Sequence, residues 1–314
     1  MAYLGSFASY LPSRIVTNDE MAQSVGCDAA WIQSTSGIDS RRFADTNESV
    51  ADLAVMAGRA CLAASPGRSI GLVIVASGSA DRRFPGPATT IAHALELGTV
   101  PALDLPIPSA GGLIGIALAR QLAAQYGDVL VIAAEKMSSV VAREGTSPQV
   151  AVLFGDGAGA CLVSEQVGQA RIVDTLLCSD GSFDAALQLG FDEPLRMDGR
   201  TVIMQAARKV PQAIQDILQR NGVSRESVGA FLIHQANRNL TVQVAKAVGV
   251  PSDKFFSNVD RYGNTSSASL LIATAEWSAV AGFEPEVPVV MAAFGAGLHW
   301  GALLAMGRGH QSGQ

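Results

Sequence analysis

Leu105-Pro106-Ile107-Pro108-Ser109-Ala110-Gly111-Gly112 is the stretch around which the chain is organised. An apolar run, 100–105, leads into it, and an apolar segment, 113–124, leads out. In the second, Leu113, Ile116, Ala117, Arg120, Gln121 and Ala124 fall at helical spacing, so the window reads as strand, tight turn, helix. Ser109 then lies at or near a helix N-terminus, where free backbone N–H groups and the positive end of the dipole favour developing negative charge. Such a position suits a nucleophile, and it equally suits an ordinary serine N-cap. The window alone leaves both readings open.

Working outward, the pattern is one of buried strands alternating with helices. Residues 70–76, 129–134, 228–233 and 287–292 are apolar runs of strand length, as expected of a sheet covered on both faces. Residues 49–64, 89–97, 200–221 and 240–248 read as helices, and the alternation gives an α/β class. Residues 151–163, AVLFGDGAGACLV, contain G-x-G-x-G, but the next residues, Ala160-Cys161-Leu162-Val163, read as strand, whereas a phosphate-binding loop needs a helix N-terminus there. Two strand pieces around a tight glycine turn are expected instead. A weak repeat relates the halves: Phe154-Gly155-Asp156-Gly157 echoes Phe294-Gly295-Ala296-Gly297, and the strand at 70–76 echoes the one at 228–234.

Composition narrows the class. The 314 residues are 48% hydrophobic and 16% charged, enough for a large core in one big domain or two fused halves. So low a charge fraction suggests a homo-oligomer. A net charge of −6 gives no case for nucleic acid. No apolar run is long enough to span a bilayer, and no basic segment followed by an apolar core opens the chain, so it reads as cytoplasmic. Cys27, Cys61, Cys161 and Cys178 lack C-x-x-C spacing, and His93, His234, His299 and His310 lack ligand spacing, so no metal is expected.

Three polar residues sit at or after the ends of buried segments, where α/β sheets place their chemistry: Ser109, His234 and Asn264. Singly, each has an ordinary account as cap, satisfied core histidine or turn former. Together they are recognisable. With SYLPSRIVTN (9–18), Trp31-Ile32 and Gly37-Ile38, FGDGAGA (154–160), IHQANR (233–238), GNTSSAS (263–269) and FGAGLHWG (294–301), the chain resembles the thiolase-fold condensing enzymes, most closely the β-ketoacyl-acyl-carrier-protein synthase III family.

The resemblance implies a thiolase-like duplicated α/β fold, five layers αβαβα with two mixed sheets. Residues 1–165 would carry the nucleophile and 166–314 the His and Asn. Ser109 aligns with the family's nucleophilic Cys, and His234 and Asn264 with its His and Asn. The backbone N–H groups of Ser109 and Ala296 would form the oxyanion hole, with Trp31, Phe84 and Phe294 contacting substrate. No cofactor is implied beyond the acyl donor, an acyl-carrier-protein or coenzyme A thioester. A homodimer is implied, with Phe84 in the loop that reaches the partner's acyl pocket.

The departure is the hydroxyl, together with Pro106, Ile107 and Pro108 where the family has small residues. Serine is a far weaker acid than cysteine and needs a base, for which His234 is the candidate. The product would be an oxygen ester. His234 and Asn264 would still donate hydrogen bonds to a malonyl-type thioester, so the decarboxylating half looks intact. Donor recognition is altered too: Trp31 remains, but the expected adenine-clamping arginines are Thr35 and Ser147. A carrier-protein donor fits better, because residues 196–261 hold ten Lys/Arg against five Asp/Glu, with Arg208, Lys209, Arg238 and Lys246 as docking candidates. Three functions are consistent with these residues: priming or condensation through acyl-Ser109 in polyketide- or fatty-acid-type secondary metabolism, including antibiotic biosynthesis; acyl transfer to a hydroxyl, amine or carrier thiol without condensation; or a non-catalytic carrier-binding scaffold.

Overall fold

The computed structural model describes residues 1–308; His310 and the last residues of the expected C-terminal half lie outside the described residues. The strands of the main sheet are β1 Tyr3–Tyr10, β2 Ile70–Ala76, β3 Ala102–Leu105, β4 Asp128–Lys136, β5 Asp156–Ser164, β6 Ala170–Ser179, β7 Ala230–Ile233, β8 Phe255–Phe256, β9 Pro288–Gly295 and β10 His299–Gly307. Their order is β8-β7-β9-β10-β6-β1-β5-β4-β2-β3. From the centre outward, β1-β5-β4-β2-β3 and β6-β10-β9-β7-β8 are the same chain order used twice. Directions match as well. β2 runs parallel to β3 and β4, and β7 to β8 and β9, while β5 and β10 return antiparallel. The short sequence repeat thus marks a duplicated unit. The two expected mixed sheets meet edge to edge, because Tyr3 pairs with Arg171 and Leu4 with Ala170. Hydrogen bonding therefore makes them two five-stranded halves of one sheet.

Six helices cover the halves: α1 Val50–Ala63, α2 Pro87–Ala94, α3 Gly111–Tyr126, α4 Gly199–Arg220, α5 Arg238–Val248 and α6 Ser269–Val280. Strand alternation assigns the layers. Leu72 and Ile74 of β2 share a core with Leu113 and Ile116 of α3, Leu271 of α6, and Leu232 and Met291 of the second half. Val73 and Val75 face the other way, onto Leu53 of α1 and Ile91 of α2. In the second half, Phe231 and Ile233 face Ile214 of α4 and Val244 of α5. The result is α1/α2, half-sheet, α3/α6, half-sheet, α4/α5, which is the five-layer order. The inner helices are apolar nearly all round because sheet lies on both sides of them. Each fully buried Leu or Ile there contributes about 1.5–3 kcal/mol.

Two local readings change. The segment 151–163 is not two strands around a turn: Pro148–Ala151 is a helical turn, and β5 runs unbroken through Gly157 and Gly159. A Cβ on Gly159 would lie 2.5 Å from the Leu271 Cβ, so the glycine lets α6 lie directly on the strand. The long strand β6, which no periodicity had assigned, is half-exposed along much of its length and so lacks a buried-strand signature. Among the described residues, no helix is long and apolar enough to cross a membrane.

Candidate active site

Ser109 occupies the turn between β3 and α3. Its φ is +60°, in the left-handed region that costs a non-glycine residue about 1–2 kcal/mol. The helix begins at Gly111 with Ala110 as its N-cap and no side-chain cap bond. Ser109 is therefore not the cap; its side chain points away from that role and lines a cavity. The turn is pressed against the end of β9, where a Cβ on Gly295 would lie 2.2 Å from the Pro108 carbonyl oxygen and 3.1 Å from the Ser109 Cβ. Only glycine allows the two halves to meet this closely.

His234 follows β7, and its N–H donates to the Ala292 carbonyl at 2.9 Å, which continues the pairing with β9 by one residue. Its Nδ1 lies 2.5 Å from the Ser269 hydroxyl. Burial lowers the imidazole pKa from 6.5 to about 4, so the ring is neutral at neutral pH. Asn264 is tied at both backbone groups: its N–H donates to Leu153 at 2.8 Å and its carbonyl accepts from Gly155 at 3.1 Å. Its Oδ1 accepts the Ser266 N–H at 2.9 Å. This leaves the Asn264 Nδ2 with no partner among the described residues.

The structure brings Ser109, His234 and Asn264 together around one cleft, with Phe294 in its wall and α4 and α5 along its sides. A second, smaller cavity shares Ser109, Phe154 and Leu187 with the first and is also lined by Met137, Leu189 and Leu195. Both linings are mostly apolar, which strengthens any hydrogen bond made to charge inside. Behind the site, the fully buried Glu135 carboxylate accepts from Gly78 N–H at 3.0 Å, Ser79 Oγ at 2.5 Å and Ser267 N–H at 3.2 Å. It thereby fastens the loop after β2 to the loop that carries Asn264.

The two expected oxyanion donors differ. Ala296 lines the second cavity and its N–H has no partner among the described residues. The Ser109 N–H is already engaged, donating to Ser266 Oγ at 3.1 Å. Trp31 lies outside the cleft lining, on the short helix Ala29–Ser36, which is tied to α5 by Asn239 Nδ2 donating to the Thr35 carbonyl at 2.7 Å. Phe84 is 85% exposed and lines neither cavity. Arg208, Arg238 and Lys246 are exposed on α4 and α5. Lys209 corrects the docking set. It is buried, its ammonium 3.8 Å from the Trp300 ring centre and 3.1 Å from Asp180 Oδ2, so it holds the fold together and offers no charge to a surface. Sequence reasoning missed Ser266 and Ser269. They stand two and five residues after Asn264 in GNTSSAS, where only the fold shows that one meets Ser109 and the other His234.

Comparison with known proteins assigns the fold to a family. The models for 3-oxoacyl-[acyl-carrier-protein] synthase III and for its C-terminal region match residues 103–181 and 218–306. The β-ketoacyl-[acyl-carrier-protein] synthase III of Oleidesulfovibrio alaskensis is 35% identical, over 96% of this chain and 98% of its own. The chain belongs to the 3-oxoacyl-acyl-carrier-protein synthase III family. It is thus an enzyme of an acyltransferase family. Among solved members, the synthase III of Aquifex aeolicus superposes with a TM-score of 0.92 at 30% identity, covering 98% of this chain and 100% of that one. The priming β-ketosynthase of the R1128 polyketide pathway gives 0.89 at 28%, covering 98% and 97%.

Proposed function

We propose that this synthase III homologue transfers a short acyl group through an ester on Ser109 and condenses it with a carrier-bound malonyl-type unit. The nucleophile comes from the half 1–165, and His234 and Asn264 come from the half 166–314. One observation carries the reading: Asn264 has its carboxamide oxygen tied down and its Nδ2 left over, in the same cleft as His234 and Ser109. Two hydrogen-bond donors converging on a thioester oxygen would stabilise the enolate formed when the malonyl unit loses carbon dioxide. The enolate carbon then attacks the acyl-Ser109 carbonyl. A carbon–carbon bond forms, the ester bond to Ser109 Oγ breaks, and the serine recovers a proton. The smaller cavity, lined by Met137, Leu189 and Leu195 among others, suits a short acyl chain.

The donor in this proposal is held on acyl carrier protein, with Arg208, Arg238 and Lys246 offering positive charge beside the cleft to an acidic partner. No cofactor takes part. A second copy of the chain would cover the edge strand β3, where Leu103 is exposed and Gly86 of the Phe84 loop packs against Asp104. The hydroxyl nucleophile and the likeness to a priming ketosynthase support a place in polyketide- or fatty-acid-type secondary metabolism. Intact-protein mass spectrometry tests the covalent step: wild type incubated with short acyl thioesters on carrier protein and on coenzyme A gains an acyl mass that Ser109→Ala does not. No adduct from either donor overturns it. Asn264→Ala should lower malonyl decarboxylation about 10²–10³-fold. If the adduct forms and wild type decarboxylates nothing, acyl transfer without condensation replaces the condensing reading.

A further inference from the structure

One edge of the His234 ring faces protein and the other faces the cleft. On the protein side, Nδ1 lies 2.5 Å from the hydroxyl of Ser269, which is 2% exposed at the head of α6. The same hydroxyl accepts the Gln235 N–H at 3.1 Å. That donor cannot swing away. The Gln235 side chain is pinned at both ends, Nε2 donating to Ile233 and Phe256 carbonyls and Oε1 accepting from Ser257 Oγ and the Asn258 N–H.

A serine hydroxyl has one hydrogen and two lone pairs. With a proton on Nδ1, Ser269 Oγ would accept two N–H bonds and its own hydrogen would have no acceptor among the described residues. With the hydroxyl donating to Nδ1, every group on the protein side is satisfied, and the ring hydrogen resides on Nε2, free to meet a ligand in the cleft. We infer that Ser269 is a positioning residue that holds His234 in the Nε2–H tautomer, so that His234 meets the substrate as a hydrogen-bond donor and not as the base for Ser109. The inference rests on the proposed role of His234 at the thioester, and it revises the expectation that this histidine deprotonates the nucleophile. No carboxylate or lysine lines either cavity to take its place. Glu135 is surrounded by donors of its own. As the ester to Ser109 Oγ forms, the donor's thioester C–S bond breaks and the Ser109 proton goes to the departing thiolate.

Nitrogen NMR of the full chain carrying ¹⁵N-labelled histidine tests this, with His234→Asn identifying the signal. Wild type should show Nδ1 as pyridine-type and Nε2 as pyrrole-type. Ser269→Ala should give mixed tautomers and about tenfold slower malonyl decarboxylation, the scale of one neutral hydrogen bond. Ser269→Thr should restore both. A pyrrole-type Nδ1 in wild type overturns the assignment, and so does Ser269→Ala with the wild-type tautomer ratio. The wild-type spectrum decides by itself if Ser269→Ala does not fold. It also reads the ring whether or not any thioester is consumed: a pyrrole-type Nε2 in a protein that decarboxylates nothing upholds the tautomer and removes the condensing reading.

Discussion

The backbone N–H of Ser109 donates to the hydroxyl of Ser266, 3.1 Å away, across the junction of the two halves. In the proposed mechanism this amide is one of the two donors to the acyl-transfer oxyanion. That role would require it to exchange its partner when the tetrahedral intermediate forms. Ser266→Ala removes the competitor. Acylation of Ser109 should then speed up about fivefold, corresponding to the ~1 kcal/mol net value of a neutral hydrogen bond. Rapid-quench mass spectrometry of the acyl-enzyme measures it, and a slower variant would mean that the Ser266 hydroxyl itself assists the reaction.

The backbone at Ser109 sets activity against stability. A φ of +60° is free for glycine and strained for serine or alanine. Ser109→Gly should therefore be about 1 kcal/mol more stable than Ser109→Ala, with neither forming an adduct. Denaturant unfolding of the two variants makes the comparison. Equal stabilities would show that the turn relaxes out of the left-handed region once the hydroxyl is gone.

Burial keeps His234 neutral down to about pH 4. Decarboxylation should be flat from about pH 6 to 8, with no inflection at the ordinary histidine pKa of about 6.5. Stability follows the same linkage. The unfolded chain takes up a proton near pH 6.5 and the folded chain not until about 4, so this contribution is complete above about 6.5 and is lost as pH falls toward 4. Urea unfolding at about pH 7.5 and pH 5, for wild type and His234→Asn, isolates it. A kcat inflection near 6.5 would show that the ring is solvated in the working enzyme.

The four basic residues divide by burial. Arg208→Glu, Arg238→Glu and Lys246→Glu combined should raise KM for a carrier-bound donor at least tenfold at low salt, with kcat unchanged and the effect fading as salt rises. Lys209→Met should leave that KM alone and lower Tm by a few degrees, because Lys209 is stacked on Trp300 inside the fold. Steady-state kinetics and thermal unfolding on the same preparations separate the two. An unchanged KM in the triple variant would remove this face as the docking site.

Much of the molecule is written locally. The apolar runs of β2, β4, β7 and β9 state that both sheet faces are covered, and the echo of 154–157 in 294–297 states the duplication. His234 and Asn264 stood out by their place after buried segments, and the roles expected of them came from the resemblance that IHQANR and GNTSSAS carry. The glycines of 155–159 misled, since a sequence does not say whether a glycine serves a turn or the close approach of a helix.

What only the tertiary structure decided are the relationships between residues far apart in the chain. The window around Ser109 leaves the cap reading open until its φ and the Ala110 cap position exclude it. Lys209 is one more positive charge until Trp300 and Asp180 close over it. Ser266 and Ser269 are two polar residues in a serine-rich motif until the halves dock and set one against the Ser109 amide and the other against His234. A periodicity reports which face of an element is buried; which hydrogen-bond partner a buried group finds depends on three-dimensional proximity, and that arises only when the sheet halves close on α3 and α6.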